Sequence, residues 1–123
     1  MAKTILVVED DPKYMRLARD LLKISGCKSI EATDGEKGIE LAKKHKPALI
    51  LMDIMMPKID GYTACREIKL DEATKKIPVV MLTSLDFPLN KDLAKDVGSD
   101  GYITKPLDIE KLNDVLQRFS IVS

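Results

Sequence analysis

Short runs of consecutive apolar residues alternate with longer stretches whose apolar residues recur every three or four positions, and this alternation repeats five times along the chain. Apolar residues fill nearly every position of Ile5–Val8, Ala48–Met52 and Pro78–Leu82, the pattern of strands covered by helices on both faces. Lys28–Ala32 and Tyr102–Thr104 are weaker runs and read as flanking strands. Between the first two, Pro12–Ile24 sets Met15, Leu17, Ala18, Leu21 and Leu22 on one helical face, with Asp11 as N-cap, Pro12 in the first turn and Gly26 as the stop. Further helices are predicted over Gly35–Lys44, Gly61–Leu70, Leu89–Val97 and Asp108–Phe119, the last with Ile109, Leu112, Leu116 and Phe119 at helical spacing. Pro47, Gly98 and Pro106 separate elements, and Pro88 is compatible with the first turn of the fourth helix while shortening that helix. Strands and helices in strict alternation with short loops require parallel pairing and right-handed crossovers. The predicted fold is therefore α/β, a single doubly wound (βα)5 domain over residues 1–123 with helices on both faces of a parallel sheet. Its strand order, 2-1-3-4-5, is assigned by analogy with a common doubly wound arrangement.

Composition narrows the class. With 123 residues, 45% of them hydrophobic and 33% charged, the chain is one ordinary globular domain and not a disordered segment. Cys27 and Cys65 stand far apart and outside any CxxC or Cys/His pattern, which removes zinc and a disulfide scaffold and leaves two idle thiols. The 20 basic and 20 acidic residues cancel, so no global field favours nucleic acid or an anionic membrane, and neither is expected as a direct partner. Met1–Thr4 leads straight into an apolar run without a signal-peptide pattern, and no run approaches the about 18 apolar residues of a membrane span, giving a cytoplasmic expectation.

In open parallel sheets the functional crevice lies beyond the carboxyl ends of the strands. The residues found there are Glu9, Asp10 and Asp11 after the first run, Asp53 after the third, Thr83 and Ser84 after the fourth, and Lys105 with Pro106 after the fifth. Asp11 is explained by helix capping. Glu9, Asp10 and Asp53 would share a crevice if the first and third strands are neighbours, and carboxylates so close repel one another unless a cation intervenes. Hard oxygen ligands in a small site suit Mg²⁺, which takes one or two carboxylates, waters and phosphate oxygens. Asp53 ends an apolar run and is followed by Ile54, Met55, Met56 and Pro57, so its carboxylate sits in poor solvent, either paired or reactive. A carboxylate can act as a nucleophile and form an aspartyl phosphate. Lys105 brings a flexible point charge able to pair with Asp53 and then with phosphate, and the Thr83 hydroxyl can donate to a phosphoryl oxygen.

Other classes fail on sign or motif. A nucleotide binder presents a Gly-rich or hydroxyl-rich loop after its first strand, whereas here that turn is acidic. GxxxxGK[ST], GxGxxG and GxSxG are absent, and the single histidine, His45, lies near a helix end away from the strand ends, which excludes histidine-based triad catalysis.

Val7-Val8-Glu9-Asp10-Asp11, Leu51-Met52-Asp53-Ile54-Met55-Met56-Pro57, Asp60-Gly61, Met81-Leu82-Thr83-Ser84 and Tyr102-Ile103-Thr104-Lys105-Pro106 together resemble the receiver domain of two-component response regulators, of the stand-alone, chemotaxis-regulator-like type. The resemblance runs over essentially the whole chain and implies a flavodoxin-like fold. It implies Asp53 as phosphoacceptor, with Mg²⁺ held by Asp10, Asp53, the main-chain carbonyl of Met55 and, through water, Glu9. Lys105 would be the phosphate partner, Thr83 the switch hydroxyl, and Tyr102 the aromatic whose rotamer follows Thr83. The implied donor is a phosphohistidine on a sensor histidine kinase or phosphotransfer protein, and the implied output is a downstream protein target met by the face of the fourth helix, fifth strand and fifth helix.

Two departures from the family pattern stand at Gly101 and Leu107, positions the resemblance places against the output surface, and they put the dimer mode of DNA-binding regulators in doubt; a monomer or weak dimer is expected. Met55 and Leu85 occupy the positions at which the family tunes hydrolysis of its acyl phosphate. Two alternatives stand beside this reading: a phosphorylation-independent receiver that works by protein contact, and a Mg²⁺-dependent small-molecule phosphatase. The second lacks an acid two residues beyond Asp53, where Met55 stands, so no turnover of an external substrate is expected. Only Ser120–Ser123 follow Phe119, which has no room for an output domain, so the expectation is either a stand-alone regulator acting through protein partners or a fragment of a longer chain.

Overall fold

A computed structural model describes residues 2–86 and 88–122. Five strands, β1 (Thr4–Val8), β2 (Lys28–Ala32), β3 (Leu49–Asp53), β4 (Val79–Thr83) and β5 (Gly101–Thr104), form one parallel sheet in the order β2-β1-β3-β4-β5. The helices that connect them are α1 (Pro12–Ile24), α2 (Gly35–His45), α3 (Gly61–Leu70) and α4 (Lys91–Asp96), and α5 (Ile109–Arg118) closes the fold. The order assigned by analogy is the one observed.

Strand alternation divides the core in two. Ile5, Val7, Leu49, Leu51, Val80, Leu82 and Ile103 face α1 and α5, meeting Met15, Ala18, Leu22, Leu112, Val115 and Leu116. Leu6, Val8, Ile50, Met52, Val79 and Met81 face the other way, against Ala42 of α2 and Ala64, Cys65 and Ile68 of α3. Leu17 and Leu21, predicted on the buried stripe of α1, flank it half-buried. Both cysteines are free and buried, and burial pushes the Cys65 thiol up to about 11. Among the described residues no helix is long and apolar enough to cross a membrane.

Each observed helix start carries its cap. Asp11, Asp34, Asp60, Asn90 and Asp108 each accept a hydrogen bond from a backbone N–H of the first turn. Gly26 (φ +81°) and Gly98 (φ +84°) take the left-handed conformation that ends a helix without a Cβ clash.

Three sequence expectations need correction. The central strands end one residue later than predicted, so Asp53 and Thr83 are their last residues and not the first of the loops. α4 is shorter than Leu89–Val97, because Asn90 caps it and its own N–H is taken by the Tyr62 hydroxyl. Leu107, expected against an output surface, is buried in the core on the α1 and α5 side of the sheet.

Candidate metal and phosphoryl site

Register builds the site from the strand ends. Val8 lies beside Met52 across the β1–β3 pair, so Glu9 and Asp53, each one residue further, emerge side by side. Both continue the alternation of Ile5, Val7, Leu49 and Leu51 and therefore project on the α1 and α5 side of the sheet. Lys105, two residues past Ile103, follows the same parity from β5. These three side chains meet although the chain separates them by dozens of residues: Lys105 Nζ lies 2.7 Å from Glu9 Oε1 and 3.3 Å from Asp53 Oδ1. Asp10 completes the group, with one carboxylate oxygen from each of Glu9, Asp10 and Asp53 falling within 4.8 Å of the others.

Glu9 is the anchor. It is 1% exposed, its Oε1 accepts from Lys105, and its Oε2 accepts from the Asp11 backbone N–H at 3.1 Å. Its own N–H donates to the Ala32 carbonyl at 3.0 Å, which ties the β1 end to β2. Glu9 is thus no solvated turn residue, and Lys105, expected to pair with Asp53, sits nearer to Glu9. Asp10 is exposed at the mouth and Asp53 is 7% exposed.

The electrostatics follow from burial and crowding. Burial pushes the Glu9 carboxyl above its ordinary range, opposed by the hydrogen bonds from Lys105 and the Asp11 N–H and reinforced by the Asp53 charge. Asp10 is raised too, by burial first, against its backbone hydrogen bond, and then by the Glu9 charge. Burial pulls the Lys105 ammonium down, but the Glu9 hydrogen bond and the Asp53 and Glu9 charges outweigh it, so its net shift is upward. Three carboxylates thus share one ammonium among the described residues of the cluster. A hard divalent cation suits such a donor set: all oxygen, close-set, under-neutralised and open to water at Asp10.

Thr83 belongs to the opposite parity, with Val79 and Met81, and pairs across the ladder with Thr104; the two hydroxyl oxygens are 3.5 Å apart. The Lys105 N–H donates to the Thr83 carbonyl at 2.7 Å, so the hydroxyl and the ammonium stand on one continuous backbone connection. Tyr102, two residues before Thr104, is 49% exposed and shares with Thr83, Leu85, Leu89 and Thr104 an open cleft of about 260 Å³ beside α4. Met55 and Leu85 expose apolar side chains two residues beyond Asp53 and Thr83, Leu85 to 92%.

Sequence reading missed two contributors. A Cβ on Gly61 would overlap the Asp53 carbonyl oxygen, and the Gly61 N–H donates to the Ile54 carbonyl at 2.7 Å, so α3 starts directly on the backbone that carries Asp53. Gly61 stood in a motif, but nothing local indicated whose backbone it meets. The second is Tyr14 of α1, whose ring lies under the Lys105 ammonium with 4.1 Å between Nζ and the ring centroid. No sequence signal links an α1 tyrosine to a residue after β5.

A doubly wound sheet with a carboxylate triplet and a lysine at its carboxyl edge offers a site chemically suited to a divalent cation and a phosphoryl group. Residues 5–117 match the family of response regulator receiver domains, and the chain belongs to that family. The polar-differentiation response regulator DivK of Brucella ovis is 32% identical over 119 residues, spanning 97% of both chains. The DNA-binding dual master transcriptional regulator RpaA of Synechocystis is 43% identical over 108 residues, 88% of this chain but 45% of that protein, so this chain corresponds to less than half of RpaA. Among solved structures, the receiver domain of sensor histidine kinase PA1611 from Pseudomonas aeruginosa PAO1, which has a magnesium ion coordinated in its active site cleft, superposes with a TM-score of 0.89 at 30% identity over 100% of both chains. Chemotaxis protein CheY4 of Vibrio cholerae gives 0.89 at 28% identity over 97% of this chain and 99% of its own. This chain is thus a receiver domain of the two-component response-regulator family, with the flavodoxin-like fold, and receivers of this kind are signalling modules.

Proposed function

We propose that Asp53 accepts a phosphoryl group from a phosphohistidine on a sensor histidine kinase or phosphotransfer protein, and that the modified domain then engages a downstream protein through the surface of α4, β5 and α5. The observation that carries this reading is the convergence of Glu9, Asp10 and Asp53 within 4.8 Å around a Lys105 ammonium 2.7 Å from Glu9 and 3.3 Å from Asp53. An Asp53 oxygen attacks phosphorus in line, the P–N bond breaks, and the imidazole leaves. Asp10 and Asp53, the Met55 carbonyl, and Glu9 through water would hold Mg²⁺. When bound, the ion neutralises charge between the incoming phosphoryl oxygens and the carboxylates. Lys105 pairs with a phosphoryl oxygen, exchanging part of its present pairing with Asp53.

The Thr83 hydroxyl donates to another phosphoryl oxygen, and its displacement leaves room beside Tyr102. The open cleft of about 260 Å³ that Thr83 and Tyr102 both line supports this coupling, because it puts the hydroxyl and the ring on one space. The RpaA relationship supports a receiver that can be joined to an output domain, and the DivK relationship one that acts without it.

Intact mass after incubation with acetyl phosphate and Mg²⁺ tests the proposal. One added phosphoryl group is expected on the parent chain and none on Asp53→Asn or in the presence of chelator. An adduct that survives in Asp53→Asn overturns the assignment of Asp53. A parent chain that takes up no phosphoryl group from acetyl phosphate or from a kinase favours a receiver working by contact alone.

A further inference from the structure

Lys105 is held from two sides. Glu9 accepts a hydrogen bond from the lysine ammonium at 2.7 Å, Asp53 pairs with it at 3.3 Å, and the half-buried Tyr14 ring meets it at 4.1 Å from the ring centroid. A lysine ammonium rides on a flexible four-carbon stem, so its placement depends on what surrounds it. The carboxylate contacts change when a phosphoryl group arrives and claims one of the three N–H donors. The ring contact does not, because a ring face attracts the cation through its quadrupole and uses up no N–H.

We propose that Tyr14 is a positioning residue for Lys105, holding the ammonium at the mouth between Glu9 and Asp53 so that it meets the incoming phosphoryl group already in place. This rests on the reading of Lys105 as the phosphoryl partner. Tyr14 reaches the site from the first turn of α1, fixed there by the Asp11 cap and by Met15, the next residue, which is buried in the core. The ring and not the hydroxyl carries the role, so Tyr14→Phe preserves it and Tyr14→Leu, apolar but without a ring, removes it.

Two readouts decide the matter. In ¹H–¹³C spectra of the metal-free protein, the Lys105 ε-methylene, assigned by its absence in Lys105→Arg, is expected upfield of the other lysines through the ring current. That displacement should persist in Tyr14→Phe and vanish in Tyr14→Leu, and the same spectra report whether each variant is folded. With acetyl phosphate and Mg²⁺, Tyr14→Leu should take up phosphate about fivefold more slowly, the scale of one partly exposed cation–π contact, and Tyr14→Phe should restore the rate.

An unshifted ε-methylene in the parent overturns the contact. A Tyr14→Leu rate equal to the parent's, or a Tyr14→Phe rate as slow as Tyr14→Leu's, overturns the positioning role. A parent that takes up no phosphate from acetyl phosphate or from a kinase overturns the proposed function and the kinetic half of this inference together, while the ε-methylene shift still decides the contact.

Discussion

The proposed role of Asp53 as phosphoryl acceptor calls for a backbone that does not yield beneath it, and that backbone is braced by Gly61. Because a Cβ on residue 61 would run into the Asp53 carbonyl oxygen and come within 2.9 Å of the Ile54 Cα, the obstruction is main chain and cannot rotate away. Gly61→Ala should cost about 1–3 kcal/mol in urea unfolding, the usual range for overpacking, and slow phosphoryl uptake from acetyl phosphate as Asp53 shifts. Residues at the mouth act on the later step. Met55 and Leu85 present apolar side chains that cannot orient a water toward an acyl phosphate, so the phospho-form should decay slowly. Met55→Asn, which supplies a donor and an acceptor there, should speed the loss by about tenfold in a mass-resolved time course. The cluster of Glu9, Asp10, Asp53 and Lys105 was legible as a set of candidates because polar residues that close apolar runs stand out. The burial of Glu9, the preference of Lys105 for Glu9, and the reach of Tyr14 and Gly61 were not, since each depends on contacts between elements remote in sequence.

Among helix starts, Asp11 was legible as a cap from its own chemistry and its place before Pro12, and Asp34, Asp60 and Asp108 prove to play the same part. Strand ends were less legible: whether Asp53 closes β3 or opens the loop is set by its pairing with Leu82 of β4, which is not a local property. The caps also supply a pH dependence. The Lys37 N–H, donating to Asp34 Oδ1 at 2.8 Å, holds the Asp34 carboxyl below its ordinary range, with Lys58 adding to the effect. Its contribution is present above the unfolded value of about 4 and is lost as pH falls through the lower folded value. The Lys37 amide resonance should therefore titrate with a midpoint below about 3.9 and lose the dependence in Asp34→Asn. α4 stands apart, with six residues of which only Ala94 is buried. Amides of Lys91–Asp96 should exchange with solvent far sooner than those of α1 and α5, which bury three residues each. Exchange in α4 as slow as in α1 would contradict an output face built on a loosely held helix.

For the whole molecule, the balanced charge of the chain hides a local imbalance. The 20 acidic and 20 basic residues cancel overall, yet Glu9, Asp10 and Asp53 converge on one lysine at the edge of the sheet. Folding brings these carboxylates together from separate places in the sequence, so their repulsion is present in the native state and largely absent in the unfolded one. A cation that binds only the assembled cluster then stabilises the fold by mass action, about 2.7 kcal/mol at a hundredfold excess over its Kd. Thermal melts should show this directly. Mg²⁺ is expected to raise the Tm of the parent chain by several degrees, in keeping with the size of the domain. Asp10→Asn separates the two effects, because Asp10 is exposed and crowded by Glu9, while Lys105 pairs directly with Glu9 and Asp53 and only its more distant charge reaches Asp10. In chelator that variant should melt above the parent, and in Mg²⁺ its advantage should shrink or reverse, since the charge removed is one the ion uses. A variant that melts below the parent in chelator would mean that Asp10 is held by attraction and not by repulsion, and the electrostatic case for a cation site would fall with it.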